Sequence, residues 1–392
     1  MRFSRSIAPL LGLAALAALG PAAAPVHAQS YTLTILNPAG LGNTAAFGVN
    51  NTGQVTGYSH TDSGHSLVFL SGANGGTVKG LGTLPGDNSS SGGAVNDAGQ
   101  VAGYSYNSNG SPSHAFLSGA NGGALKDLGT LPGGTTSFGS GVNNTGQVAG
   151  SSDHSGSRGY HAFLSGANGG ALKDLGTLPG DSSSNGYAVN ASGQVAGESD
   201  NADGTAHAFL SDVNGGTLNN LGNLGGTLRN SSASAVNNTG QVAGFSFNDD
   251  FTVIHAFLSG ANGGALQDLG SLGGGLTNSL AEGVNNAGQV VGSCFSSDFS
   301  ADAAFVFSGG TMKDLNSLIV PGSSFYLDNA SGISDTGFIT GLGSDGNGNQ
   351  YGFLLTPINA PVPEASTTIS FGLLLALGLG GVVVAGKRKR KA

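Results

Sequence analysis

The stretch Val142-Asn143-Asn144-Thr145-Gly146-Gln147-Val148-Ala149-Gly150-Ser151 decides the fold, because it comes back six times. Close variants begin at Val49, Val95, Val189, Val236 and Val284, and a degenerate one at Ile333, in steps of 46 to 49 residues. So steady a period means one repeated supersecondary unit, not several unrelated domains. Inside the stretch, valines on either side of an Asn/Gly cluster read as strand, tight turn, strand.

Two more landmarks lie outward of this phrase in each repeat. Before it stands an alternating segment, such as Leu125-Lys126-Asp127-Leu128-Gly129-Thr130-Leu131, followed by a Pro/Gly/Ser turn. After it, beyond a variable polar loop, comes His161-Ala162-Phe163-Leu164 and a Gly-Ala-Asn-Gly-Gly turn. Four short strands in about 47 residues match one propeller blade, whereas a β-helix coil needs about half that length. The expected fold is therefore all-β, a seven-bladed β-propeller, with an open β-solenoid as the alternative. Val142, Val148 and Phe163 recur as Val189, Val195 and Phe209, giving each repeat an aliphatic and an aromatic row that it can bury only against its neighbours. The last repeat stops at Tyr351-Gly352-Phe353-Leu354-Leu355, without the following strand, while Tyr31 to Leu36 offers such a strand at the other end. Pairing the two would close the ring and remove its open sheet edges.

Composition agrees with many tight turns between short strands: there are 72 Gly, no Trp and 9% charged residues. Cys294 is the single cysteine, so no intramolecular disulfide forms, and its strand-like setting reads as a buried thiol. The formal charge is -9. Setting aside Arg2, Arg5 and the five terminal cations leaves six basic residues against 22 acids, a surface that repels phosphate backbones and excludes nucleic acid as a partner.

The ends read as targeting segments. Arg2 and Arg5 precede the apolar run Ile7 to Leu19, and Val26-His27-Ala28 fits a signal-peptidase site, so residues 1–28 are expected to be removed after Ala28. The repeats then occupy 29–357 and a linker 358–368. Residues 369–386 carry no charge and can just span a membrane as a helix, and the tail 387–392, with Lys387, Arg388, Lys389, Arg390 and Lys391, is expected to stay cytoplasmic.

The order Val362-Pro363-Glu364-Ala365-Ser366, apolar span, basic cluster resembles the PEP-CTERM sorting signal, with Ala365 where the usual core has a second proline. That resemblance implies an exosortase, a membrane transpeptidase, as a partner that reads Pro363 and Glu364 and passes the chain to the cell surface or matrix. The three repeat landmarks are similar to those of the HAF family of extracellular repeats over about residues 31 to 355. Ser118, Ser165, Ser211 and Ser259 stand where that family typically has Trp. The resemblance implies location and architecture, not an activity.

Candidate chemistry is sparse. His114, His161, His207 and His255 recur at one position, but Leu67, Ala303 and Tyr351 interrupt a metal-binding ring, so hydrogen bonding to adjacent turns is expected. Asp345, Asn347 and Asn349 have the oxygen spacing of a calcium loop without its acidic closing ligand, which leaves calcium as a possible cofactor; Asp200 to Gly204 is a weaker version. Asp127, Asp174, Asp268 and Asp314 repeat with the fold and are expected to accept bonds from turn amides. Catalytic residues should break the repeat symmetry, yet the irregular Glu198, Asp249, Asp250 and Glu282 show no pairing along the chain. The loops 60–66, 106–113, 153–160, 200–206 and 248–254 should gather on one face, with Tyr106, Tyr160 and Phe251 as its stacking candidates. The sequence therefore points to an exported, non-catalytic binding or structural module, bound to exopolysaccharide or a cell-surface glycan. Its alternative is a secreted propeller enzyme acting on envelope polysaccharide.

Overall fold

The computed structural model describes residues 30–36, 43–61, 63–109, 112–155, 159–319 and 323–358. The expected signal segment with its cleavage site at residue 28, the sorting motif at 362–366, the apolar span at 369–386 and the basic cluster at 387–391 lie outside them. Among the described residues no helix is long and apolar enough to cross a membrane.

The repeats fold as seven four-stranded antiparallel sheets. Blade 3 is typical, with Ser137–Val142 innermost, then Val148–Asp153, Tyr160–Ser165 and Leu172–Gly176 at the outer edge. Each innermost strand packs beside those of both neighbouring blades, and the seventh returns to the first, so the ring is closed. Blade 7 contains Tyr326–Ile333, Ile339–Ser344 and Gln350–Ile358, and the N-terminal Ser30–Leu36 completes it. Leu33 pairs with Leu355 and Ile35 with Phe353 in that seam, as the complementary ends of the repeat array predict.

Among the described residues eight apolar clusters form, and seven of them each join two consecutive blades around the ring. Between blades 2 and 3 the cluster consists of Ala102, Ala115, Leu117, Leu131, Val148 and Phe163. Phe69, Phe116, Phe163, Phe209, Phe257, Phe305 and Phe353 are all completely buried. Truncating one buried phenylalanine typically costs about 3–5 kcal/mol. The second glycine of the repeated phrase, Gly150, has a steric reason: a Cβ there would lie 2.0 Å from the Phe138 carbonyl oxygen and 2.7 Å from the Phe163 ring. The glycine lets the aromatic row lie flat on the sheet.

The Asn of the phrase closes its own turn and then reaches the next blade. Asn143 Oδ1 accepts from the Thr145 and Gln147 amides, while its Nδ2 donates to Gln147 Oε1 and, at 2.9 Å, to the Asn190 carbonyl. Asn50, Asn96, Asn190, Asn237 and Asn285 make the same donation to the next repeat. Ser334 replaces the seventh Asn, and there the Asp335 amide and Thr336 hydroxyl donate to Asn51 instead. A belt of amide bonds thus rings one end of the axis.

The serines at the tryptophan position of the HAF resemblance are 1–2% exposed. Ser165 Oγ accepts from the Val148 amide at 2.8 Å and donates to the Gly166 carbonyl, and Ser118, Ser211 and Ser259 hold Val101, Val195 and Val242 alike. This position satisfies buried backbone and offers no surface. Cys294 is buried beside Met312, and burial pushes its thiol up to about 11.

Candidate functional site in the axial channel

Every innermost strand slips register at the same place. In blade 3 the slip falls between Gly139 and Gly141, which leaves Ser140 without a partner on the second strand; in blade 4 it leaves Tyr187, and in blade 6 Glu282. Such a bulge re-aims the extra residue. Here it aims at the axis, where Phe47, Gly93, Ser140, Tyr187, Ser234, Glu282 and Ser331, one from each blade, line the channel. Two residues further along, Val49, Val95, Val142, Val189, Val236, Val284 and Ile333 form an aliphatic ring. The Val142 row packs between blades as expected, each member joining or flanking an interblade cluster, and its inner edge also constricts the channel. Spaces of about 220 and 180 Å³ flank this ring. On the side away from the asparagine belt the channel widens to about 700 Å³.

The wide part is chemically uneven. Phe47, Tyr58, Tyr104 and Phe245 supply aromatic walls, Ser91, Ser140, Ser232, Ser234 and Ser331 supply hydroxyls, and Glu198 and Glu282 supply carboxyls. Glu282 is hydrogen bonded by the Asn329 amide of blade 7, and Asn329 Oδ1 accepts from Ser331 Oγ at 2.8 Å. The carboxyl faces the channel but protein surrounds it, and this desolvation pushes it up to about 7 against the lowering effect of its Asn329 and Ser331 bonds. Glu198 lies on the second strand of blade 4 and accepts from the Tyr187 hydroxyl. Burial, and then the Glu198 charge, raise the Tyr187 phenol far above its ordinary value. Tyr187 consequently stays protonated, orienting Glu198 as a donor instead of acting as a nucleophile.

The other expected candidates fall elsewhere. His114, His161 and His255 stand on third strands, away from the axis, and bind Asp127, Asp174 and Asp268 at 2.8–2.9 Å. His207 turns to Asp181 at 3.3 Å, because Asn220 replaces the aspartate of its own repeat. The same aspartates accept the Gly129, Gly176 and Gly270 amides, the structural role expected of them, and Asp314 accepts from Asn316. Both oxygens of Asp345 are taken by Asn347 and Asn349 within their turn. Among the described residues no three His, Cys, Asp or Glu side chains gather as a metal site.

This bulged ring of innermost strands around one open hollow is that of a seven-bladed propeller, and solved propellers superpose on it. An oligogalacturonate lyase in complex with manganese matches with a TM-score of 0.52 at 12% identity, over 84% of this chain and 97% of that one. Prolyl endopeptidases give 0.52 at 10% over 84% and 51%, and a puromycin hydrolase 0.51 at 14% over 78% and 50%. The chain spans about half the length of the two peptidases. These identities show the fold. No family model matches the sequence, and no curated protein matches it.

The expectation of a non-catalytic module is corrected on these findings. The matching structures are a lyase, over 97% of its length, and peptidases, over about half of theirs, and the channel brings together the unlike polar residues whose apparent absence had favoured that expectation. Glu198 and Glu282, unpaired along the chain, line one cavity.

Proposed function

We propose that the channel is the active site of an enzyme that hydrolyses glycosidic bonds in an envelope or extracellular polysaccharide. The observation that carries this reading is the pair of carboxyls in unlike surroundings within one aromatic and hydroxyl-lined cavity, the arrangement that glycosidases use. Glu282, raised to about 7 by burial, is the proton donor. Its proton goes to the glycosidic oxygen as the bond from that oxygen to the anomeric carbon breaks, and the bonding pair stays on the oxygen. The Glu198 carboxylate, one oxygen of which holds Tyr187, takes a proton from water as the hydroxide adds to the anomeric carbon. Solvent then restores both groups. Phe47, Tyr58, Tyr104 and Phe245 offer ring faces to sugar C–H groups, and the serines hydrogen bond to hydroxyls. The lining is carboxylate, hydroxyl and aromatic, which suits neutral or amino sugars better than uronates.

The test is release of reducing ends from neutral and amino polysaccharides by the purified chain. Turnover of at least one is expected; no release from any glycan of the source envelope would refute the reading.

We further propose that the chain is exported and sorted, as the signal segment and the resemblance at residues 362–366 imply. Intact mass of protein isolated from its native envelope should correspond to a chain starting at Gln29 and ending near Glu364. A chain retaining its end at Ala392 would instead be an unprocessed membrane-anchored form.

A further inference from the structure

Phe251 and Phe299 occupy matching tips of the loops joining second and third strands in neighbouring blades 5 and 6. Both have left-handed backbones, φ +58° and +57°, a conformation costly for a bulky residue. Both are exposed, by 53% and 68%, so burial does not offset that cost. Each lies flat on a second phenylalanine at an interplanar angle of 16°: Phe251 on Phe247 at 4.6 Å and Phe299 on Phe295 at 5.2 Å. Phe247 and Phe295 share one buried cluster with Ile254, against which Phe245 packs. The loops spend two strained backbones to hold two flat, rigid rings toward solvent.

Polar groups surround these rings. Phe251 and Phe247 form one wall of a hollow of about 410 Å³ whose other walls include Asp203, Thr205, Asn230 and Asp249. Asn230 Nδ2 donates to Asp249 at 3.1 Å. In blade 6 the equivalent asparagine, Asn278, is 2% exposed and its Oδ1 accepts from the Ile254 amide, but Ser297 replaces the aspartate and Asn278 Nδ2 has no partner. A buried amide donor left open opposite Phe295, the ring that carries Phe299, marks a gap in the packing of blade 6 at this loop.

We propose that Phe251 and Phe299 are two platforms of a polysaccharide-binding subsite on the loop face, taking successive stretches of a neutral glycan chain. Pyranose rings present an apolar C–H face and a rim of hydroxyls. The stacked phenylalanines match the first; Asp203, Thr205 and Asp249 match the second. Phe247 lies 5.8 Å from Phe245, which lines the channel, so aromatic contact is continuous from Phe251 to the proposed active site. Delivery of the bound chain into the channel rests on the hydrolase reading; the binding itself does not.

The test is affinity electrophoresis of the full chain carrying Glu282→Gln, through gels containing dextran, β-1,3-glucan, galactomannan or hydroxyethyl cellulose. At least one polymer should retard it. Phe251→Ala/Phe299→Ala should weaken that retardation about tenfold or more, and Phe251→Trp/Phe299→Trp should retain it. In the catalytically intact chain, the alanine pair should leave kcat/KM on a trisaccharide unchanged while lowering it on polymer. Retardation by no polymer, or equal retardation of the alanine pair, overturns the subsite; a surface that docks protein gives that second result. If the hydrolase reading fails, retardation and its loss remain measurable, so the two outcomes are separable.

Discussion

Glu282→Gln is expected to lower kcat on a cleavable oligosaccharide about a thousandfold, within the range for removing a general acid, while making the protein more stable above pH 7. The two effects have one origin. Burial raises the Glu282 carboxyl from 4.5 to about 7, so the native state holds this proton more tightly than the unfolded chain does. Its contribution is therefore fully present below about pH 4.5 and is lost as pH rises through 7, a change of about 3 kcal/mol. Glutamine keeps the shape and cannot ionise. Calorimetry of both forms should give matching Tm values near pH 4.5 and a variant higher by a few degrees at pH 8. Wild-type turnover should also fall as pH rises past 7, because the donor is lost. A variant with unchanged kcat removes Glu282 from the reaction, and equal Tm values at pH 8 remove the buried charge.

Deleting residues 30–36 is expected to abolish cooperative folding. Blade 7 would lose its outer strand, the seven backbone pairs from Ser30 with Ile358 to Leu36 with Gly352 would go, and Tyr31 and Leu36, now 1% and 2% exposed, would no longer cover Leu355 and Leu354. The loss spans two interblade clusters, far more than the total stability of an ordinary domain can absorb. Near-ultraviolet circular dichroism and limited proteolysis should show loss of fixed packing, and a synthetic Ser30–Leu36 peptide supplied in excess should restore part of it. A truncated chain with native spectra and protease resistance would mean that three strands suffice in blade 7.

The fold was legible because it is written seven times: a strand-turn-strand phrase at a steady period, with complementary ends, leaves few architectures. The aromatic row also behaved as read, since every phenylalanine after His-Ala or its equivalent is buried between blades. The site was harder. Glu198 and Glu282 lie in blades 4 and 6, and what joins them is closure around an axis, which no local spacing displays. A signal existed nonetheless. Three residues before the Asn of each phrase, or before Ser334 in the last, the chain reads Phe47, Gly93, Ser140, Tyr187, Ser234, Glu282 and Ser331. Among repeats so alike, a position where five residue types occur in seven copies is under some demand other than the fold. What the sequence alone did not reveal is that this position is bulged, and so directed inward.

The bulge separates two kinds of information in the chain. Residues that repeat, the Asn of the belt, the Gly under the aromatic ring and the Ser on the freed amide, are committed to geometry and tolerate little change. The seven bulged residues bear almost none of that burden, since each has no partner on the second strand and faces a hollow. Exchanging them rewrites the lining of the hollow while the scaffold stays as it is, except at Gly93, where a Cβ would lie 2.6 Å from the Ser140 carbonyl oxygen. The ring is thus a fixed frame with six addressable positions, and new specificities are within reach of single substitutions there, whether by natural drift or by deliberate redesign.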